Sequence, residues 1–396
     1  MKRFLAAAFL TAVFLAAVFF VMQAAFHTPL PSLSASLRET TAFRPPDTFE
    51  EPGYYYARLN TAEQASYAAI VLNVETFPEE IEIAPLDTEQ LGRVAKAITL
   101  DHPMLYMFEQ GVVLSRHSGK TFFAPQYACT RAEYEAVKQR VAQTVKDILG
   151  QLPQGSDYDR ELFLHDYLVA HCRYDQTEKA PNNFNPAGAL LEGSAICSGY
   201  AKAYKLLLDQ CGIENVLVTG KTTEDGSEEP VPHIWNAVEL SDRWYYVDPT
   251  WDDPLTDSKE METVYGTHNY FNVTDEMLRR THSEYEFDHP CEDESLFYYR
   301  VKNAYLTEET KDAVQFVADL IVAAAEDGND YIDFKCESDS LCQATVKKLF
   351  TQEKIYRAVN LANLRLRHKF SDQSARYSVD ETNNRIIILL KAAPND

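Results

Sequence analysis

GSAICSGYAKAYKLLLDQCG, residues 193–212, places a cysteine in the first turn of an amphipathic helix. Ile196, Tyr200, Ala203, Tyr204, Leu207, Leu208 and Cys211 recur at helical spacing, Ser194 is positioned to cap the start, and Gly212 stands where a stop is expected. Cys197 then sits near the positive end of the helix dipole, where a thiolate, the nucleophilic form, is favoured over a thiol. Taken alone, a cysteine there is as well explained as a small core side chain. The residues beyond Gly212 change that balance.

Downstream, 216–220 reads as a short strand and 221–230 as an acidic loop. Residues 233–240 (HIWNAVEL) and 243–247 (RWYYV) then flank Ser241-Asp242, the pattern of a tight antiparallel hairpin. With 240 opposite 243, Asp248 falls opposite Trp235 and shares a face with His233, two residues away. Diagonal neighbours across strands have β-carbons roughly 7 Å apart, within reach of a carboxylate–imidazole hydrogen bond. Such a carboxylate fixes the ring tautomer and stabilises the imidazolium, leaving the second nitrogen to take a proton from a thiol. A register slip of one residue would put His233 and Asp248 on opposite faces. A strand histidine and an Asp-Pro turn are ordinary features singly; with a cysteine at a helix start they make a thiol triad of Cys197, His233 and Asp248.

GSAICSGY (193–200), HIWN (233–236) and WYYVDPTWDDP (244–254) resemble the transglutaminase-like superfamily, in particular its bacterial membrane-anchored or secreted members. The resemblance covers about 54–290, with the motifs in its second half. It implies an α+β fold with a papain-like core, a cysteine helix packed on a sheet. It further implies Cys197 as nucleophile, His233 as general base and acid, and Asp248 as the orienting carboxylate. The family contains transglutaminases, peptidases and amidases, so acyl chemistry is implied without its acceptor, the substrate being a protein or peptide amide such as a cell-wall peptide. The oxyanion would be met by the backbone N–H of Cys197, with Asn182, Asn183 and Asn185 as side-chain candidates. A cell-surface binding module that keeps the fold without activity is the alternative.

Around this centre, the formal charge of −23 and the absence of a basic stripe exclude a nucleic-acid partner. Lys2 and Arg3 precede an apolar run over 4–22 broken only by Thr11, and no clean small-x-small cleavage site follows. Residues 1–26 therefore read as a membrane anchor with the remainder extracytoplasmic, a cleaved signal and secretion being the alternative. Residues 27–53, rich in Pro, Ser and Thr, read as a tether. An N-terminal accessory region spans 54–150, largely helical. It holds capping boxes at Asn60/Glu63 and Thr130/Glu133, a helix over 87–98, and a hairpin of strands 105–114 and 120–124. The catalytic domain spans 151–290 and begins with a helix over 160–170. A small α/β domain spans 291–396: strand 296–306, helix 308–325, strand 331–336, helix 339–350, and a hairpin of 376–380 with 385–391.

Seven cysteines (129, 172, 197, 211, 291, 336, 342) form no CxxC pairing. His165, His171 and Cys172 lack the i, i+4 spacing of paired ligands on one helical face, and Asp252-Asp253 alone is too small a set. No metal and no cofactor is assigned. Trp235, Trp244 and Trp251 are read as packing residues of the hairpin.

Overall fold

The computed structural model describes residues 43, 49, 53–108, 111–177, 179–180, 182–223, 229–253, 268–310 and 312–393. The anchor over 1–26 and nearly all of the tether lie outside the described residues. Among those described, no helix is long and apolar enough to cross a membrane.

The N-terminal region is a helix pair on a small sheet. Helices α1 (Thr61–Asn73) and α2 (Thr88–Asp101) each start at a capping box, Asn60 with Glu63 and Asp87 with Gln90. Strands β1 (Ile81–Ile83), β2 (Val112–His117) and β3 (Lys120–Pro125) form a sheet in the order β1-β3-β2. The strand expected over 105–114 begins only at Val112. Leu105, Tyr106, Met107 and Phe108 are all buried, and four consecutive inward side chains cannot lie on a half-buried strand. Tyr106–Phe108 instead forms one 3-10 turn that plugs the core of this region.

Helix α3 (Arg131–Leu149) joins two cores. Tyr134 packs with the N-terminal cluster, whereas Val141, Val145 and Ile148 pack with the later helices. Helix α4 (Asp157–His171) leads into β4 (Arg173–Tyr174), which pairs in parallel with β5 (Ser194–Ala195). Helix α5 (Cys197–Gln210) comes next, then a sheet of β6 (Asn215–Thr222), β7 (Val231–Leu240), β8 (Arg243–Val247) and β9 (His282–Ser283) in the order β8-β7-β6-β9.

One face of this sheet carries Val238, Leu240, Tyr245 and Val247 against α5 residues Tyr200, Ala203, Tyr204, Leu207 and Leu208 and α4 residues Leu164 and Leu168. Each large apolar side chain so enclosed contributes about 1.5–3 kcal/mol. The opposite face, with Val216, Val218, Trp235, Ala237, Trp244 and Tyr246, shares a continuous cluster with the C-terminal region.

That region comprises β10 (Tyr305–Leu306), α6 (Ala313–Glu326), β11 (Tyr331–Cys336), α7 (Asp339–Val346), α8 (Lys354–Asn363), β12 (Phe370–Asp380) and β13 (Arg385–Ala392). Its sheet order is β10-β11-β13-β12. The strand expected over 296–306 shrinks to two residues, because Tyr298–Val301 winds into a helical turn that buries Tyr299.

Candidate active site

The start of α5 differs from the capping expected of Ser194. Ile196 is the N-cap and no side chain caps it. Ser194 is taken up by the strand pair with Arg173, and Ile196 N–H instead donates to the Asn183 carbonyl at 2.9 Å. The loop at 182–185 is thus fastened to the helix start. It approaches so closely that a Cβ on Gly199 would lie 2.4 Å from the Asn183 oxygen, so only glycine fits there. Cys197 is the first helical residue and is 6% exposed.

The hairpin carries the other two groups. Ser241 and Asp242 have φ of +53° and +60°, the doubly positive turn whose twist matches the strands it joins. Leu240 pairs with Arg243 and Asn236 with Val247, the register that the turn dictates. Asp248 comes next as the N-cap of the turn Pro249–Asp252, its Oδ1 accepting from Thr250 N at 3.0 Å and Trp251 N at 3.2 Å. Its Oδ2 lies 2.6 Å from His233 Nε2. A carboxylate only accepts, so Nε2 carries the proton. Cys197 is among the groups that raise the pKa of the His233 ring, and with Nε2 on Asp248 the Nδ1 atom is the ring nitrogen left to face it.

His233 and Asp248 therefore meet in a buried pair, and Cys197, also buried, packs with Ile234 next to His233. Burial works against a charged His233, but the Asp248 charge and hydrogen bond, aided by Cys197, push its pKa up to about 10. Burial disfavours the Asp248 carboxylate too, yet His233 and His282 hold it well below the usual carboxylate range. The pair favours a charged His233 ring with an ionised carboxylate behind it.

The three asparagine amides considered for the oxyanion bond within their own loop. Asn183 Nδ2 donates to Asp175 Oδ2 at 2.9 Å, Asn185 Nδ2 to Asn182 Oδ1 at 3.3 Å, and Asn182 Nδ2 to Glu192. Their role is to build the loop that seats the helix. Trp235 and Trp244 are core residues, while the half-buried Trp251 meets the His233 ring edge-on.

Two neighbours of the site come from outside the sequence motifs. His282 of β9 reaches the same Asp248 Oδ2 at 3.1 Å. Tyr55 packs on a small cluster made of Leu100, Cys197, Ala201, Leu217 and Ile234, and its hydroxyl donates to the Leu217 carbonyl at 2.6 Å. Asp101 holds this segment by accepting from Tyr55 N at 3.0 Å and Tyr56 N at 2.9 Å. The run of three tyrosines directly after the tether was the available signal for Tyr55.

His165, His171 and Cys172 do not converge. His171 Nδ1 bonds the Tyr167 carbonyl, and Cys172 is buried in the helix core. His165 is fully buried, with Nδ1 3.1 Å from Asp166 Oδ1 and Nε2 3.1 Å from Asp252 Oδ2. His165, Asp166 and His268, and equally His233, Asp248 and His282, have ligand-type atoms within 4.8 Å of one another. Hydrogen bonding within each group accounts for its geometry.

Burial opposes charge on His165, but the hydrogen bonds and charge of Asp166 and Asp252 outweigh it and push the pKa up to about 9. A raised folded-state pKa gives stability that is fully present below the unfolded value of about 6.5 and lost as pH rises through about 9. Thermal midpoints of the wild type and His165→Gln measured across that range should therefore differ most at the acidic end and converge at the alkaline end. A gap independent of pH would mean that His165 acts by shape alone.

Residues 143–249 match the family model of the transglutaminase-like superfamily, which includes transglutaminases and cysteine peptidases. Over 153 residues, 36% of this chain, the sequence is 28% identical to kyphoscoliosis peptidase of Mus musculus and 26% identical to that of Homo sapiens. The matched stretch spans 23% of each relative, so the chain corresponds to about a quarter of their length. A crystal structure of a TGase aligns with 38% of this chain and 46% of its own, at 17% identity and a TM-score of 0.27.

Proposed function

We propose that the transglutaminase-like core is a thiol-dependent acyl-transfer enzyme acting on protein or peptide amides. The observation that carries this reading is the 2.6 Å contact between His233 Nε2 and Asp248 Oδ2 beside a cysteine at a helix start. Cys197 as thiolate would attack the amide carbonyl, with its own backbone N–H facing the developing oxyanion. His233 would give its proton to the leaving amine as the tetrahedral adduct collapses to a thioester. It would then take a proton from the incoming nucleophile, water or an amine, which displaces the sulfur. Asp248 keeps the ring oriented through both transfers. The peptidases named among the relatives favour water as acceptor.

Incubation with a protein substrate and a labelled primary amine tests this directly. Release of peptides marks hydrolysis, label joined to protein marks transfer, and both should vanish on alkylation of Cys197. A protein that alkylates at Cys197 yet yields neither product on protein or cross-linked peptidoglycan would be a silent binding module. The apolar run over 4–22 supports an extracytoplasmic site. Protease added to intact cells should remove the chain beyond residue 52 and spare a tag at Met1, whereas a soluble product starting near Ala25 would mark a cleaved signal.

A further inference from the structure

We propose that His282 is a positioning residue for Asp248, a fourth member of the site that acts through the carboxylate and touches no reacting atom. The inference rests on the acyl-transfer reading for its consequence in turnover, and on geometry alone for the rest.

Asp248 accepts four hydrogen bonds. Oδ1 takes Thr250 N and Trp251 N, and Oδ2 takes His233 Nε2 and His282 Nε2. His282 is 1% exposed, and since a carboxylate only accepts, its proton is on Nε2. The other ring nitrogen, Nδ1, lies 2.9 Å from the Thr281 hydroxyl, which also meets the Tyr270 hydroxyl at 3.2 Å. Burial together with the nearby His233 charge works against protonation of this second imidazole and outweighs the pull of Asp248. The site thus contains one histidine poised to be charged and one held neutral, on a single oxygen.

Chain geometry makes room for this. β9 adds to the edge of β6 through Lys221 opposite Ser283 and Thr222 opposite His282. At Gly220 a Cβ would stand 2.7 Å from both the Ser283 carbonyl oxygen and the Trp235 ring, so the absence of a side chain lets β9 close over the tryptophan. Facing the His282 ring are His233 at 5.6 Å, Trp235 at 4.8 Å, Trp251 at 5.2 Å and Tyr270 at 5.4 Å between ring centroids, with Asp248 bonded to it. The charged groups on the adjoining strands, Lys221 and Glu284, pair with each other at 2.7 Å.

This arrangement has two effects. The second donor fills Oδ2, so the carboxylate cannot turn away from His233. It also divides the charge of that oxygen, so that His233 holds its proton less tightly than it would against Asp248 alone.

The test compares His282→Leu, which removes the donor, with His282→Gln, which keeps an N–H. The leucine variant should lower kcat about 10- to 100-fold at unchanged KM, the range for one hydrogen bond to a charged group, and glutamine should recover most of it. Alkylation of Cys197 by iodoacetamide across pH supplies a readout free of substrate. Its alkaline transition, where the imidazolium loses its proton, should move to higher pH in His282→Leu and stay near the wild-type position in His282→Gln. Equal kcat losses in both variants with an unmoved alkylation profile would reduce His282 to a packing residue and overturn the proposal. If wild-type protein turns over no amide while the profile still shifts only in the leucine variant, the acyl-transfer reading fails and the role of His282 stands.

Discussion

Cys197→Ala should abolish turnover, by about a millionfold if chemistry limits the rate, as when the nucleophile of a serine-protease triad is removed. It should lower the thermal midpoint by no more than about 3 °C. The side chain lost is small and sits at the first helical position, where it contributes to a five-residue cluster and not to the main helix core of Tyr200, Tyr204, Leu207 and Leu208. The helix has no cap for the substitution to disturb. The loss of the sulfur also removes one of the groups that raise the His233 pKa, so the variant should titrate its imidazole at lower pH. Parallel activity and unfolding measurements decide the matter. A variant that keeps turnover dismisses Cys197 as nucleophile, and one that unfolds makes it a core cysteine.

Asp248→Asn should cost about four decades in turnover, the size of the corresponding loss in a serine protease, and far less in alkylation of Cys197 by a small reagent. The reason lies in the donor count. With the asparagine oxygen at Oδ1, its amide N–H groups would face the Nε2–H of both His233 and His282, donors against donors. The His233 ring can relieve the clash by moving its proton to Nδ1, which points a proton at the sulfur and removes the base. Turning the amide over rescues the histidines and leaves Thr250 N and Trp251 N against an N–H in their place. Neither arrangement supplies charge to the imidazolium. Alkylation needs only thiolate, toward which the helix dipole also contributes. Kinetics on an amide substrate beside iodoacetamide rates would separate the two requirements. Unchanged turnover would show that another carboxylate orients His233.

The parts of the site legible in the sequence are those whose contacts are local or periodic. Ser241-Asp242 fixes the hairpin register, and from that register the meeting of His233 with Asp248 follows by strand alternation. Cys197 was visible because seven apolar positions draw one helical face, five of which are buried in the helix core. His282 was not visible. It lies 34 residues from Asp248 on a two-residue strand, too short to display any alternation. Tyr55 meets Leu217 across 162 residues, a closure that only the docking of the N-terminal region on the core determines. Helix α8 also went unread, for its N-cap Glu353 has a φ of +56° and offers no capping hydrogen bond. The Ser194 cap was misread because a neighbouring strand competed for the same backbone.

The shared apolar cluster beneath the sheet bears on how little of this chain could stand by itself. The stretch 143–249 contains Cys197, His233 and Asp248, and it is the part that the family model recognises. Isolated, it would turn Val216, Val218, Trp235, Ala237 and Tyr246 toward water, since Tyr270, Val273, Tyr285, Phe297 and Tyr299 in their cluster all come later in the chain. At about 1.5–3 kcal/mol for each large side chain, the exposure rivals the 5–15 kcal/mol that typically separates a folded domain from its unfolded chain. The recognisable unit and the autonomous unit are thus different lengths of polypeptide. A transplant or library built on the shorter one would carry the reactive side chains without the body that keeps them in register.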